Sequence, residues 1–87
     1  MILALYGAGA MGREEKFIAD QDGSYSEVVF IDDVRTEELS GCPVYSFRDF
    51  KSRFSPEEVR FVIAMGEPRF RRENFDKMKQ AGYTGAV

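Results

Sequence analysis

The chain has no histidine among its 87 residues. That absence removes the commonest general base, the Ser–His and Cys–His nucleophile pairs, and histidine metal sites. Cysteine is almost as scarce. Cys42 stands alone, which excludes an internal disulfide and fits a reducing cytoplasm. There is no basic excess either, because 12 Lys and Arg against 15 Asp and Glu leave a net charge of −3. Such a balance offers neither a nucleic-acid footprint nor a polybasic membrane anchor. No apolar run reaches the ~18 residues of a membrane span. Met1-Ile2-Leu3 lacks the charged start and the length of a secretion signal, so the expected location is cytoplasmic. Internal repeats and low-complexity segments are also missing.

What is present reads as one small globular domain spanning residues 1–87, with 44% hydrophobic and 31% charged residues. Its opening organises the rest. Ile2 to Tyr6 form a continuous apolar run of strand length, as a parallel strand buried on both faces requires. Gly7, Gly9 and Gly12 follow with the spacing G-x-G-x-x-G. In that pattern the first glycine permits the tight turn, the second lets a phosphate approach bare backbone, and the third lets a helix pack closely. A helix beginning at about Ala10 would aim unpaired N–H groups and a positive dipole end at an anion held in the turn. Its body, Arg13 to Asp20, carries Phe17, Ile18 and Ala19 as a narrow apolar face before the turn Gln21-Asp22-Gly23-Ser24.

Glu27 to Ile31 is a second apolar strand, and it delivers Asp32-Asp33 at its carboxyl end, where dinucleotide folds place a ribose-binding acid. The same pair also suits a plain turn after a strand. Val34 to Cys42 is a polar loop, and Pro43-Val44-Tyr45 a short edge strand. Ser46 and Asp49 form a capping-box pattern ahead of Phe47, Phe50 and Phe54, a helical core stripe. Ser55 to Glu58 allows only a single turn before a fourth strand, Arg60 to Met65, which again ends in glycine at Gly66. Pro68 suits the first position of a helix running to about Ala81, with Gly82 as its terminator. Along it Glu73 and Lys77 are spaced to pair, and Phe75, Met78 and Ala81 are expected to face inward. Thr84 to Val87 reads as the start of a fifth strand.

This alternation predicts an α/β fold, a small Rossmann-like three-layer domain with a parallel sheet of four or five strands in the order 3-2-1-4-5. The chain reverses between strands 1 and 4, so the crevice outside their carboxyl ends is the expected ligand site. Gly7, Gly9, Ala10, Met11 and Gly12 would form one wall, Asp32 and Asp33 the far end, and Gly66-Glu67-Pro68-Arg69 the other wall. Arg69 and Arg72, one turn apart, are candidates to reach an anion there. No residue pairing suited to catalysis emerges, so the site is read as one that binds.

Four segments resemble the N-terminal domain of the PglD/NeuD-type sugar acetyltransferases, in order and at similar spacing. They are Gly7-Ala8-Gly9-Ala10-Met11-Gly12-Arg13-Glu14, Phe30-Ile31-Asp32-Asp33, Gly41-Cys42-Pro43-Val44, and Phe61 to Arg72. The resemblance implies a domain that binds a nucleotide-linked sugar, usually a UDP-sugar. It further implies a following left-handed β-helix that binds acetyl-CoA, carries the catalytic histidine and forms a homotrimer. Neither that domain nor its cofactor site lies within these residues. Met11 stands where many members carry histidine, and Ala10 where glycine is usual. Two other readings remain: an NAD(P)-binding domain of an oxidoreductase or redox sensor, and a vestigial module that orients an acyltransferase trimer. A complete NAD site ordinarily needs a second βαβ half, which 87 residues do not supply.

Overall fold

The computed structural model describes residues 1–35, 37–39 and 41–86. Its strands are β1 (Ile2–Tyr6), β2 (Glu27–Ile31), β3 (Val44–Tyr45), β4 (Val59–Ile63) and β5 (Thr84–Gly85). The helices are α1 (Ala10–Asp22), α2 (Phe47–Arg53) and α3 (Pro68–Gln80), with a single 3₁₀ turn at Pro56–Glu58. All neighbouring strands are parallel, in the order β3-β2-β1-β4-β5.

Right-handed crossovers dictate the layering. The chain moves one way from β1 to β2 and the other way from β3 to β4 and from β4 to β5, so α1 must lie on the opposite face from α2 and α3. The core divides accordingly. Ala4, Tyr6, Val29, Ile31, Val59 and Phe61 pack beneath Phe50 of α2 and Met78 of α3, whereas Leu3, Leu5 and Phe30 pack beneath Ala19 of α1. Burying each large apolar side chain contributes about 1.5–3 kcal/mol. Exposed ion pairs such as Lys16–Asp20 and Arg69–Glu73 contribute about 0–1 kcal/mol each, so the strand residues decide the fold.

Several expectations are corrected here. On α1 only Gly12 and Ala19 are buried, while Phe17 and Ile18 stand 63% and 61% exposed. A single helix on that face covers β1 and β2 with one narrow stripe, and the two large side chains fall outside it. The fourth strand starts one residue earlier than Arg60 and stops at Ile63, because its ladder with β1 ends at the Tyr6↔Ile63 pair. Phe75 is 44% exposed, resting on Phe61 from the side at a ring separation of 5.5 Å. Glu73 and Lys77 do not pair. Glu73 meets Arg69 at 3.3 Å, and Lys77 reaches across to Asp33 at 3.5 Å. Ser46 caps α2 by accepting from Asp49 N at 3.1 Å, as its spacing predicts. Val87, expected within the last strand, lies outside the described residues. Among the described residues no helix is long and apolar enough to cross a membrane.

Candidate functional site

The glycine loop sits where the sheet reverses, between the carboxyl ends of β1 and β4. Gly7 ends β1 with φ +122°, a conformation that L side chains rarely adopt. A Cβ there would also stand 2.6 Å from the Ala64 carbonyl oxygen, so the turn is closed against the start of the β4–α3 loop. Gly12 is held as tightly: its Cβ would lie 2.2 Å from the Gly7 oxygen and 3.1 Å from Phe30. Gly9 differs, because a Cβ on it would meet nothing within 4 Å. Gly7 is therefore required by the turn and the neighbouring β4–α3 loop, Gly12 by the close packing of α1 on the turn and β2, and the middle glycine faces open space.

Helix capping sharpens that contrast. Glu67 caps α3, its carboxylate accepting from Arg69 N at 3.2 Å and Phe70 N at 3.1 Å. Ser46 caps α2. Gly9, the N-cap of α1, has no side chain to offer, and the first turn carries no acidic residue. The first-turn N–H groups of α1 thus keep their capacity to bind an anion from outside. Ala10 and Met11 of that turn are exposed, and a Cβ built on Gly66 would touch Met11 Cε at 3.7 Å.

The acidic pair is divided between two structural ties. Asp32 Oδ2 accepts from Ala8 N at 3.0 Å, and Oδ1 accepts from Val34 N and Arg35 N, both at 2.9 Å. One carboxylate therefore pins the glycine loop to the β2–β3 loop. Burial, the largest influence on Asp32, would raise its pKa. Hydrogen bonds from Arg35, Ala8 and Val34, with the Arg35 charge, outweigh it and hold the group below the ordinary carboxylate value. Asp33 Oδ1 accepts from Phe47 N at 2.8 Å, and Oδ2 accepts from the Tyr6 hydroxyl at 3.1 Å and meets Lys77. Burial and then the Asp33 charge drive the Tyr6 phenol well above its ordinary pKa, so it donates a proton and does not ionise. A carboxylate offers about four lone-pair sites. With three protein partners apiece among the described residues, each acid retains room for about one more donor.

A groove of about 450 Å³ opens beside this pair, lined by Ala8, Val34, Arg35, Glu37, Glu38 and Leu39. Arg35 leans over the loop, its guanidinium 3.5 Å from the Ala8 carbonyl oxygen. The site thus extends toward the β2–β3 loop, where the sequence points only to a polar connection with Arg35 close to the acid pair. The opposite wall contributes less. Glu67 occupies the amides of α3, Arg69 is engaged with Glu73, and Arg72 lines a different groove beside β5. Lys77 was missed as the partner of Asp33 because i, i+4 spacing pointed to Glu73. The missed signal at Tyr6 was position: a phenol at the last residue of β1, in register with Ile31, stands close to Asp33.

The geometry can bind an anion next to a group rich in hydroxyl or N–H donors. Among the described residues no cluster of three or more His, Cys, Asp or Glu converges as a metal site would require. The model of the PglD N-terminal domain family matches residues 2–78. Two solved structures of the acetyltransferase domain of PglB from Neisseria gonorrhoeae FA1090 align with 94% of this chain. One has a TM-score of 0.82 at 31% identity, and the other, in complex with acetyl coenzyme A, 0.83 at 32%. This chain spans 40% of the length of each of those chains. No curated protein gives a significant match.

Proposed function

The chain belongs to the PglD N-terminal domain family, and from that premise we propose that it is the substrate-binding domain of a sugar O- or N-acetyltransferase. It holds a nucleotide-linked sugar, a UDP-sugar, with the diphosphate on the glycine loop. The observation that carries this reading is the uncapped start of α1 behind Gly9, next to two carboxylates that each keep an acceptor site. The diphosphate takes the amides of Gly9 to Gly12, and Asp32 and Asp33 accept from uracil N–H and ribose hydroxyls. The 450 Å³ groove lies within the size range of small-molecule sites. Gly66 and Arg69 flank the sugar side. Acetyl-CoA and the catalytic base belong to a β-helix domain that forms the homotrimer, and the whole acts in the cytoplasm.

With one loop and one helix terminus for the diphosphate, Kd should be on the order of 0.1–1 mM, about 4–5.5 kcal/mol. The test is a titration of UDP, UDP-N-acetylglucosamine, NAD and NADP, followed by backbone amide shifts. The UDP compounds should move Gly9 to Gly12 and Asp32-Asp33 at lower concentrations than NAD, and NADP should be weakest because the acid pair repels its extra phosphate. NAD binding more tightly than UDP would make this a dinucleotide domain. Silence from all four ligands would leave a module that only orients a trimer.

A further inference from the structure

Three elements converge on the Asp33 carboxylate. Phe47 N, at the start of α2, donates to Oδ1 at 2.8 Å, and the Tyr6 hydroxyl, from the end of β1, donates to Oδ2 at 3.1 Å. The third is Lys77 of α3, whose Nζ lies 3.5 Å from Oδ2 and is the one cation that meets Asp33 among the described residues. Aromatic rings hold that ammonium in place. It lies 4.6 Å from the Phe47 ring centroid and 5.0 Å from that of Tyr6, and the two rings stack at 6.1 Å. A surface lysine ordinarily loses the entropy of a long side chain when it pairs. Here Tyr6 is 2% exposed and fixed in the core, so the rings restrict Lys77 before Asp33 does. Each carboxylate oxygen has about two acceptor sites. Oδ2 has both taken, by the phenol and the ammonium, and Oδ1 keeps one.

We propose that Lys77 is a positioning residue for nucleotide binding: by holding Oδ2 toward α3 it fixes the Asp33 carboxylate with the open site of Oδ1 as the acceptor for the ligand. The proposal rests on the reading of Asp33 as a nucleotide acceptor. Charge is the second part of the argument. Asp32 and Asp33 are adjacent, and a diphosphate on the glycine loop brings further negative charge beside them. Asp32 is offset by the Arg35 charge and three backbone N–H groups, whereas Asp33 has only Lys77 as a full positive charge among the described residues. Without the ammonium, Asp33 keeps two neutral donors, and its charge stands uncompensated beside an anion. The ammonium itself is engaged with Asp33, Tyr6 and Phe47, so its effect on the ligand runs through Asp33.

Two probes separate this role from a general loosening of the fold: UDP, which should use Asp33, and inorganic pyrophosphate, which should need only the glycine loop. Lys77→Met keeps an apolar contact with both rings and removes the charge. It should bind UDP about fivefold more weakly, the upper end of what a partly exposed ion pair contributes, with pyrophosphate unchanged within about twofold. Lys77→Arg, which can pair with a carboxylate and stack on rings, should bind UDP within about twofold of wild type. In an Asp33→Asn background, Lys77→Met should cost nothing further. In the free protein, the Asp33 χ1 couplings should report one rotamer in wild type and averaging in Lys77→Met. Unchanged UDP affinity in Lys77→Met, an equal loss for pyrophosphate, or a full loss that persists in Asp33→Asn would each overturn the proposal. So would a single Asp33 rotamer in Lys77→Met. Silence of wild type toward UDP would refute the nucleotide reading itself, while the couplings still decide whether Lys77 positions Asp33.

Discussion

Replacing Asp32 with alanine removes the acceptor for three backbone N–H groups at once. The three losses are unequal. Val34 and Arg35 are exposed, and water can replace the carboxylate on their amides. Ala8 is 3% exposed, so its N–H is left poorly solvated inside the loop. A hydrogen bond to a charged group contributes about 1.5–3 kcal/mol, and most of the cost should come from that one amide. For a domain of this size, about 2 kcal/mol corresponds to a fall in Tm of roughly 8–16 °C. Asn at this position separates geometry from size. Its amide oxygen can keep Val34 and Arg35, but its NH₂ then meets the Ala8 N–H donor to donor, so Asp32→Asn should lose nearly as much as Asp32→Ala. Urea unfolding followed by circular dichroism, with hydrogen exchange at the Ala8 amide, reads both effects. A stability change within about 0.5 kcal/mol for Asp32→Ala, the range of an ordinary surface substitution, would refute the tie between the two loops.

Gly12→Ala should cost about 2–3 kcal/mol, because its Cβ would stand 2.2 Å from a backbone oxygen that cannot turn aside; a chevron or urea curve matching wild type would contradict that packing. Acid should destabilise the domain through Asp32. Its folded pKa is depressed, so its contribution is complete above the unfolded value of about 3.9 and fades as pH falls through the folded one. Asp32→Asn should flatten this part of the stability–pH curve, and an unchanged slope would assign the acid transition to other carboxylates. The chain alone should release no thiol from acetyl-CoA in the presence of a UDP-amino sugar, since it has no histidine. Turnover that tracks the purified domain would place the chemistry here.

β1 and β2 were legible because each is an apolar run ended by glycine or acid, Leu3 to Tyr6 before Gly7 and Val28 to Ile31 before Asp32. Arg60 inside β4 and Ala64-Met65 after it blurred both ends of that strand. The strand order followed from the need to cover both faces of a parallel sheet: with right-handed crossovers, a reversal between strands 1 and 4 puts α1 on one face and α2 and α3 on the other. Less legible was what only the third dimension settles. Phe17 and Ile18 looked like core by type, yet one helix on that face buries only the stripe through Gly12 and Ala19. The glycine spacing located the loop, but only contact distances distinguish the packed Gly7 and Gly12 from the open Gly9. Asp32 and Asp33 were found by position. Their anchors, Ala8, Tyr6, Phe47 and Lys77, are 14 to 44 residues away from Asp33 or 24 from Asp32, beyond any local pattern. Lys77 illustrates the limit: its helical neighbour Glu73 offered a pair worth about 0.2–0.5 kcal/mol, too little to hold it against a carboxylate bracketed by Tyr6 and Phe47.

The central claim is that Gly9 is bare so that a phosphate can approach the amides of α1. Titrating UDP into wild type and into Gly9→Val, with amide shifts as the readout, tests it most directly. Gly9 has φ −102° and ψ −158°, which valine can adopt, and a Cβ meets nothing there, so the variant should fold within about 1 kcal/mol of wild type. Wild type should show saturable shifts at Gly9 to Gly12 and Asp32-Asp33, and a folded Gly9→Val should lose at least tenfold in affinity. Equal affinity in the two proteins would contradict the claim and reduce the glycine run to a turn.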